Sequence, residues 1–230
     1  MKTQFIDYEV GGRIATITLN RPEAANAQTM PLLDDLDEAW CRAAEDPEVR
    51  VIVLQANGKH FSAGHDIRGV GSGDGPPPRW TVAGIYETEA KRFLEYSLRW
   101  RNVPKPSIAA VQGVCIAGGL LLAWPCDLII AADNAEFSDP VLFMGINGVE
   151  LHAHTWEFGP RKAKELLFTG SSITAAEAEH LGMVNKVVPL DSLRAEALEW
   201  ANDIATLNPV MTRLLKRGIN ATMDLSLIHI

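Results

Sequence analysis

Residues 113–127 read GVCIAGGLLLAWPCD. An apolar run ends in the small residues Ala117, Gly118 and Gly119, then continues as a helix-like run from Leu120 to Trp124. Small residues let a ligand approach the main chain closely. The first N–H groups of a helix have no partner within it and favour negative charge. Gly118 N–H is therefore placed to face an oxygen that becomes negative during a reaction. Most such Gly-Gly pairs serve tight packing, so the reading needs a second feature, and one lies upstream. Residues 59–67, KHFSAGHDI, follow directly on the apolar run Val51, Ile52, Val53 and Leu54. A buried strand entering a small-residue turn is a common place for a second main-chain donor.

Working outward, further short motifs occur in a fixed order. Residues 20–27 read NRPEAANA, 61–67 FSAGHDI, 111–127 VQGVCIAGGLLLAWPCD, 168–170 FTG and 179–185 EHLGMVN. In this order they resemble the crotonase superfamily, also called the enoyl-CoA hydratase/isomerase family, over nearly the whole chain. Ala117 stands where the family has the first glycine of a triplet. The resemblance implies a spiral ββα core with C-terminal helices and trimers that can pair into hexamers. It implies an acyl-CoA thioester substrate whose carbonyl oxygen sits between two main-chain N–H groups, by position those of His65 and Gly118. The residues implied to line the substrate are Glu23, Ala25, Ala63, His65, Asp66, Ile67, Gly118, Leu121 and Val141. No cofactor is implied beyond the CoA of the substrate itself.

Two departures from the family pattern bear on the reaction. Family hydratases use two glutamates towards water. One lies three residues after the glycine donor, where this chain has Leu121. The other follows a proline at the position of Pro140, where this chain has Val141. Neither side chain can move a proton, and general acid–base groups supply about 10²–10⁴ each. Some members, dienoyl-CoA isomerases and an aroyl-CoA dehalogenase among them, carry an essential aspartate within the segment that corresponds to residues 144–157, its position counted from the glycine donor. That position falls at Val149, beside Glu150, which is the leading candidate base. Asp139 is the runner-up, with a turn or cap role as its plainer reading. Isomerisation needs one proton-shuttling group and suits these residues better than hydration. A hydratase with non-standard acid and base residues, and a non-catalytic acyl-CoA binder, are the alternatives.

His152 and His154 form an H-x-H pair, but no third ligand follows at a known spacing, so a metal centre is not expected. Composition fits an ordinary soluble domain: 230 residues, 47% hydrophobic and 22% charged. A formal charge of −8 argues against nucleic acid as a partner. Cys41, Cys115 and Cys126 are odd in number and lack metal spacing, so they read as reduced thiols of a cytoplasmic protein. The N-terminus carries no secretory signal pattern and no apolar run is long enough to span a bilayer.

Alternating elements predict an α/β fold. Strands are expected at 5–10, 13–19, 49–55, 107–114, 127–132 and 184–188. Helices are expected at 31–45 (with Leu32, Leu33, Leu36 and Trp40 on an apolar face), 81–102, 155–168 (with Trp156, Leu166 and Leu167 inward), 175–181 (closed by Gly182), 191–206 and 209–222. Residues 69–79, GVGSGDGPPPR, read as a linker-like loop. The expected organisation is a core over 1–190, an incomplete helical region over 191–224 and a non-native tail over 225–230. That tail, LSLIHI, is what the transposon adapter sequence CTGTCTCTTATACACATC encodes.

Overall fold

A computed structural model describes residues 3–67, 81–145 and 151–228. The expected loop at 69–79 lies outside the described residues. The chain opens with the hairpin β1 (Ile6–Gly11) and β2 (Ile14–Leu19), then α1 (Met30–Glu45) and β3 (Val51–Ala56). Next come α2 (Val82–Glu89), a wider π turn (Ala90–Glu95) and α3 (Tyr96–Arg101). β4 (Ser107–Val111), β5 (Val114–Ile116), the short α4 (Leu120–Ala123), β6 (Leu128–Ala132) and β7 (Glu136–Ser138) follow. The chain ends with α5 (His154–Thr169), β8 (Ser172–Thr174), α6 (Ala175–Leu181), β9 (Lys186–Val188), α7 (Leu193–Ala205) and α8 (Pro209–Ile228).

Two sheets organise these elements. The larger has the order β1-β2-β3-β4-β6-β9 and is parallel apart from the β1–β2 hairpin. The smaller has the order β5-β7-β8. β3 reads VIVLQA and is buried along almost its whole length, because helices cover both faces of the sheet. On one face, Leu32, Leu33, Leu36 and Trp40 of α1 pack with Ile17, Leu19, Ile52 and Leu54. On the other, Leu193, Ala197, Ala201 and Ala205 of α7 pack on Val51, Val53, Ile108 and Ile130. The expected apolar face of α1 is thus the core-facing one. Thr29 caps that helix by accepting the N–H of Leu32, and Thr174 with Glu177 forms a reciprocal capping box on α6.

The structure corrects the sequence reading in three places. The single strand expected at 107–114 is two strands in different sheets. Gly113 turns the chain between them at φ +57°, with Lys59 O so close that a β-carbon would stand 2.2 Å from it. The helix expected at 81–102 contains the π turn at Ala90–Glu95. Trp156, expected inward, is 45% exposed. Gly159, at φ +73°, interrupts α5 just before Pro160, so the first turn is out of phase with the rest and His154 and Phe158 take the inward face. The short β7 and β8 give too few residues for periodicity to reveal.

Arg21 and Asn26 explain the NRPEAANA loop. Asn26 is fully buried. It accepts the N–H of Arg21 at 2.8 Å and donates to the carbonyls of Asn57 and His60 at 3.0 and 2.9 Å. It also holds φ +50°, a conformation asparagine tolerates better than most residues. Asn26→Ala leaves one buried donor and two acceptors without this partner and should cost on the order of 3 kcal/mol. Urea titration of the parent and variant measures this. A midpoint unchanged by the substitution would show that water replaces all three bonds.

Candidate functional site

Three loops carry the motifs, and hydrogen bonds tie them together. Ser62 N donates to Val114 O at 3.2 Å, Ile116 N donates to Ser62 O at 3.0 Å, and Ala63 N donates to Ala25 O at 2.9 Å. Ser62 Oγ donates to Asn26 O at 2.9 Å. The buried Gln28 side chain donates to Gly118 O at 2.7 Å, and Gln28 forms a parallel bridge with His65. The motifs around 25, 63 and 118, distant in sequence, therefore meet at one place.

The small residues there are set by contact. A β-carbon on Gly119 would stand 2.6 Å from Ser62 O, and one on Gly64 would stand 2.8 Å from Ile116 O and 3.3 Å from Gly118 N. A β-carbon on Gly118 would instead meet the His65 ring, at 2.7 Å from its nearest atom. Gly118 is the second residue of a 3-10 turn, Ala117–Gly119, that leads into α4. At such a position the turn itself leaves the N–H unused. Ala117 holds φ +48°, a conformation that suits the glycine of the family triplet better.

His65 lies flat on Phe93, with ring centroids 3.7 Å apart and 15° between planes. Both of its ring nitrogens are buried. The imidazole therefore sits between Gly118 and the π turn. Beside it is a narrow crevice whose walls include Gln28, Phe93, Ser97 and Leu121. Leu121 is 4% exposed. Val141 is partly buried, opens the 3-10 turn Val141–Met144, and is not among the described residues lining that crevice.

The remaining candidates are placed as follows. Asp66 pairs with Arg21 at 2.7 Å, and Arg21 also donates to Ala27 O, so this carboxylate joins two motif loops. Ala25 and Ala63 bond to each other through their main chains, while Glu23 and Ile67 are exposed. Glu150 lies outside the described residues. Asp139 is buried and shares a 2.8 Å hydrogen bond from its Oδ2 to His154 Nε2. The sequence offered no signal for that pairing, because the two residues are fifteen apart on different elements. Among the described residues no group of three or more His, Cys, Asp or Glu is arranged to hold a metal ion. Cys115 and Cys126 are buried, and burial pushes both thiols up, out of the reactive range.

Glu157 is a further acidic group, passed over in the sequence as part of a helix. It lies one turn after His154 on α5. Burial raises its carboxyl from 4.5 to about 7. The folded chain therefore holds a proton there that the unfolded chain has lost. This group's penalty is absent below about pH 4.5, grows as pH rises towards 7, and is constant above that. Glu157→Gln should make the protein more stable than the parent at pH 8, by about 2 kcal/mol, and equal to it near pH 4. Thermal melts across this range provide the check, and parallel stability curves for the two proteins would contradict it.

Comparison with known proteins agrees with this arrangement. The family model "Enoyl-CoA hydratase/isomerase" matches residues 9–230. The chain is 43% identical over 238 residues to a putative enoyl-CoA hydratase, EchA13, of Mycobacterium tuberculosis, covering 96% of this chain and 75% of that one. It is 34% identical to an (E)-benzylidenesuccinyl-CoA hydratase of Thauera aromatica, covering 97% and 85%. A crystal structure of a probable enoyl-CoA hydratase from Mycobacterium thermoresistibile superposes with a TM-score of 0.91 at 63% identity, covering 97% of this chain and 90% of that one. With its ordered motifs joined in one fold of this kind, the chain belongs to the enoyl-CoA hydratase/isomerase family, the crotonase superfamily.

Proposed function

We propose that the protein binds an acyl-CoA thioester, holds the carbonyl oxygen between the N–H groups of His65 and Gly118, and shifts a double bond by proton transfer. The observation that carries this reading is the packing of the 63–65 and 117–119 loops against each other, with Gly64 close to Gly118 N. Two converging donors stabilise the enolate formed when a proton leaves the carbon next to the thioester. Loss of one such donor costs enzymes about 10²–10³ in rate.

The reaction type follows from the crevice wall. Leu121 stands where a hydratase glutamate would orient water, and it presents only carbon beside His65. Isomerisation dispenses with that water and needs one group to carry a proton. Glu150 is the residue assigned that role. No cofactor takes part beyond the substrate's CoA, and the cytoplasm is the proposed location. Among the described residues no helix is long and apolar enough to cross a membrane. A homotrimer, or a pair of trimers, fits the apolar residues Val210, Met211, Leu214, Leu215 and Ile219 that α8 leaves exposed.

The second reading is hydration with non-standard residues, favoured by the hydratase names of the relatives. One panel of assays separates these readings from a binder without activity. The parent protein should convert 3-enoyl-CoA to 2-enoyl-CoA while hydrating crotonyl-CoA far more slowly than a relative with both glutamates. Fast hydration would select the second reading, and binding without turnover would leave only a binding role. Glu150→Gln should lower isomerisation by about 10² or more with CoA-ester affinity nearly unchanged. An unaltered rate would remove Glu150 from the mechanism.

A further inference from the structure

The His65 imidazole occupies ground that the proposed substrate needs. Its tip packs on Gly118, where an added β-carbon would lie 2.7 Å from Cε1, 2.8 Å from Nε2 and 3.0 Å from Cδ2. Its face lies on Phe93, with ring centroids 3.7 Å apart. Gly118 cannot give way, because Gln28 holds its carbonyl oxygen at 2.7 Å. A thioester oxygen accepting from Gly118 N–H would stand about 2.9 Å from that nitrogen, with its carbonyl carbon within about 4 Å. The first acyl carbons and the tip of the imidazole therefore compete for one shell of space around Gly118.

The crevice beside the ring has walls made mostly of carbon, with Leu33, Phe93, Trp100, Leu121 and Leu122 among them. As the ring lies, the crevice is too narrow for a water molecule. His65 itself is only partly buried, so it stands at the mouth, with solvent on one side and this apolar interior on the other. An alkyl chain gains hydrophobic free energy with every methylene it brings into such a place. An imidazole gains far less there, because water solvates its nitrogens well. Exchange of the ring for an acyl chain is therefore favourable once the chain is long enough to reach the crevice.

We propose that the His65 side chain is a specificity-determining plug, which stands in the acyl path and swings out when a longer acyl chain takes its place against Phe93. The proposal rests on the acyl-CoA reading above and on no particular acid or base. Rotation about the side-chain bonds of His65 leaves its main-chain N–H where it is, so the proposed oxyanion donor keeps its position while the ring moves. The stack on Phe93 sets the threshold. An acetyl group ends one carbon beyond the carbonyl and leaves the stack whole. A hexanoyl group runs four carbons further and must break it. The loss of this contact therefore falls on longer chains alone, and an aromatic pair of this kind is worth a factor of roughly two to ten in an equilibrium.

The test uses the full chain and two saturated probes, acetyl-CoA and hexanoyl-CoA, with affinities measured by calorimetry. His65→Ala keeps the main-chain N–H and removes the plug. It should raise the preference for hexanoyl-CoA over acetyl-CoA by roughly fivefold relative to the parent. Phe93→Leu keeps an apolar wall, removes the stack and should shift the preference in the same direction. In the parent, the His65 Hε1 resonance, identified by its absence from the His65→Ala spectrum, should move further with hexanoyl-CoA than with acetyl-CoA. A preference unchanged or reversed in folded His65→Ala, or equal movement of the resonance with both esters, overturns the proposal. Should His65→Ala fail to fold, the preference of Phe93→Leu carries the decision. Failure of both to fold makes the stack structural and overturns the plug. A parent protein that binds neither ester overturns the acyl-CoA reading as well, whereas a parent and a His65→Ala variant with equal preference overturn the plug alone.

Discussion

The site depends on the hydrogen bonding around Ser62. Its main chain bonds to the strand that precedes Gly118, and its hydroxyl bonds to the loop that carries Asn26. Gly119 packs so closely on Ser62 O that any side chain there would collide with it. The two loops proposed to carry the oxyanion donors are therefore positioned by one residue that is neither donor. Gln28 reinforces this from a third direction by holding Gly118 O. Such fixed placement is what preorganised charge stabilisation requires, because donors that must reorganise lose much of their advantage.

Around this centre the residues at the positions the resemblance gives to the two glutamates are different. A leucine stands at one hydratase position, and the buried Asp139–His154 pair lies near the other. In the proposed function the scaffold separates the two tasks. Main-chain donors stabilise charge whatever side chains surround them, so acids and bases can change without disturbing the oxyanion loops. His65 is the exception, since its main chain and its imidazole both lie at the centre, the latter pressed against Phe93 and Gly118.

How far the sequence revealed this depended on the range of the interactions. The apolar stripe of α1 and the glycine ending α6 are local features, and both were legible. The meeting of the motif loops was legible only through resemblance, since no periodicity brings residues 25, 63 and 118 together. Trp156 was misread because helical phase is lost at Gly159. The crossing from β4 to β5 was missed because Gly113 sits inside an apolar run that reads as continuous. The partner of Asp139 was invisible because it depends on tertiary packing of α5 against the turn that follows β7.

The π turn at Ala90–Glu95 sets a limit on how this segment can change in length. Phe93, within it, reaches His65, while Tyr96 and Trp100 after it bond to Asp34 and Asp37 of α1. A π turn is an α-helix with one residue inserted. Each helical residue advances the face by about 100°. Deleting one residue here would restore a regular helix and rotate the residues on one side of it out of place. Either the Phe93 stack or the contacts with α1 would be lost. Descendants of this sequence can therefore accept substitutions on the exposed side of the segment, but a single-residue deletion would break either the floor of the site or its attachment to the core.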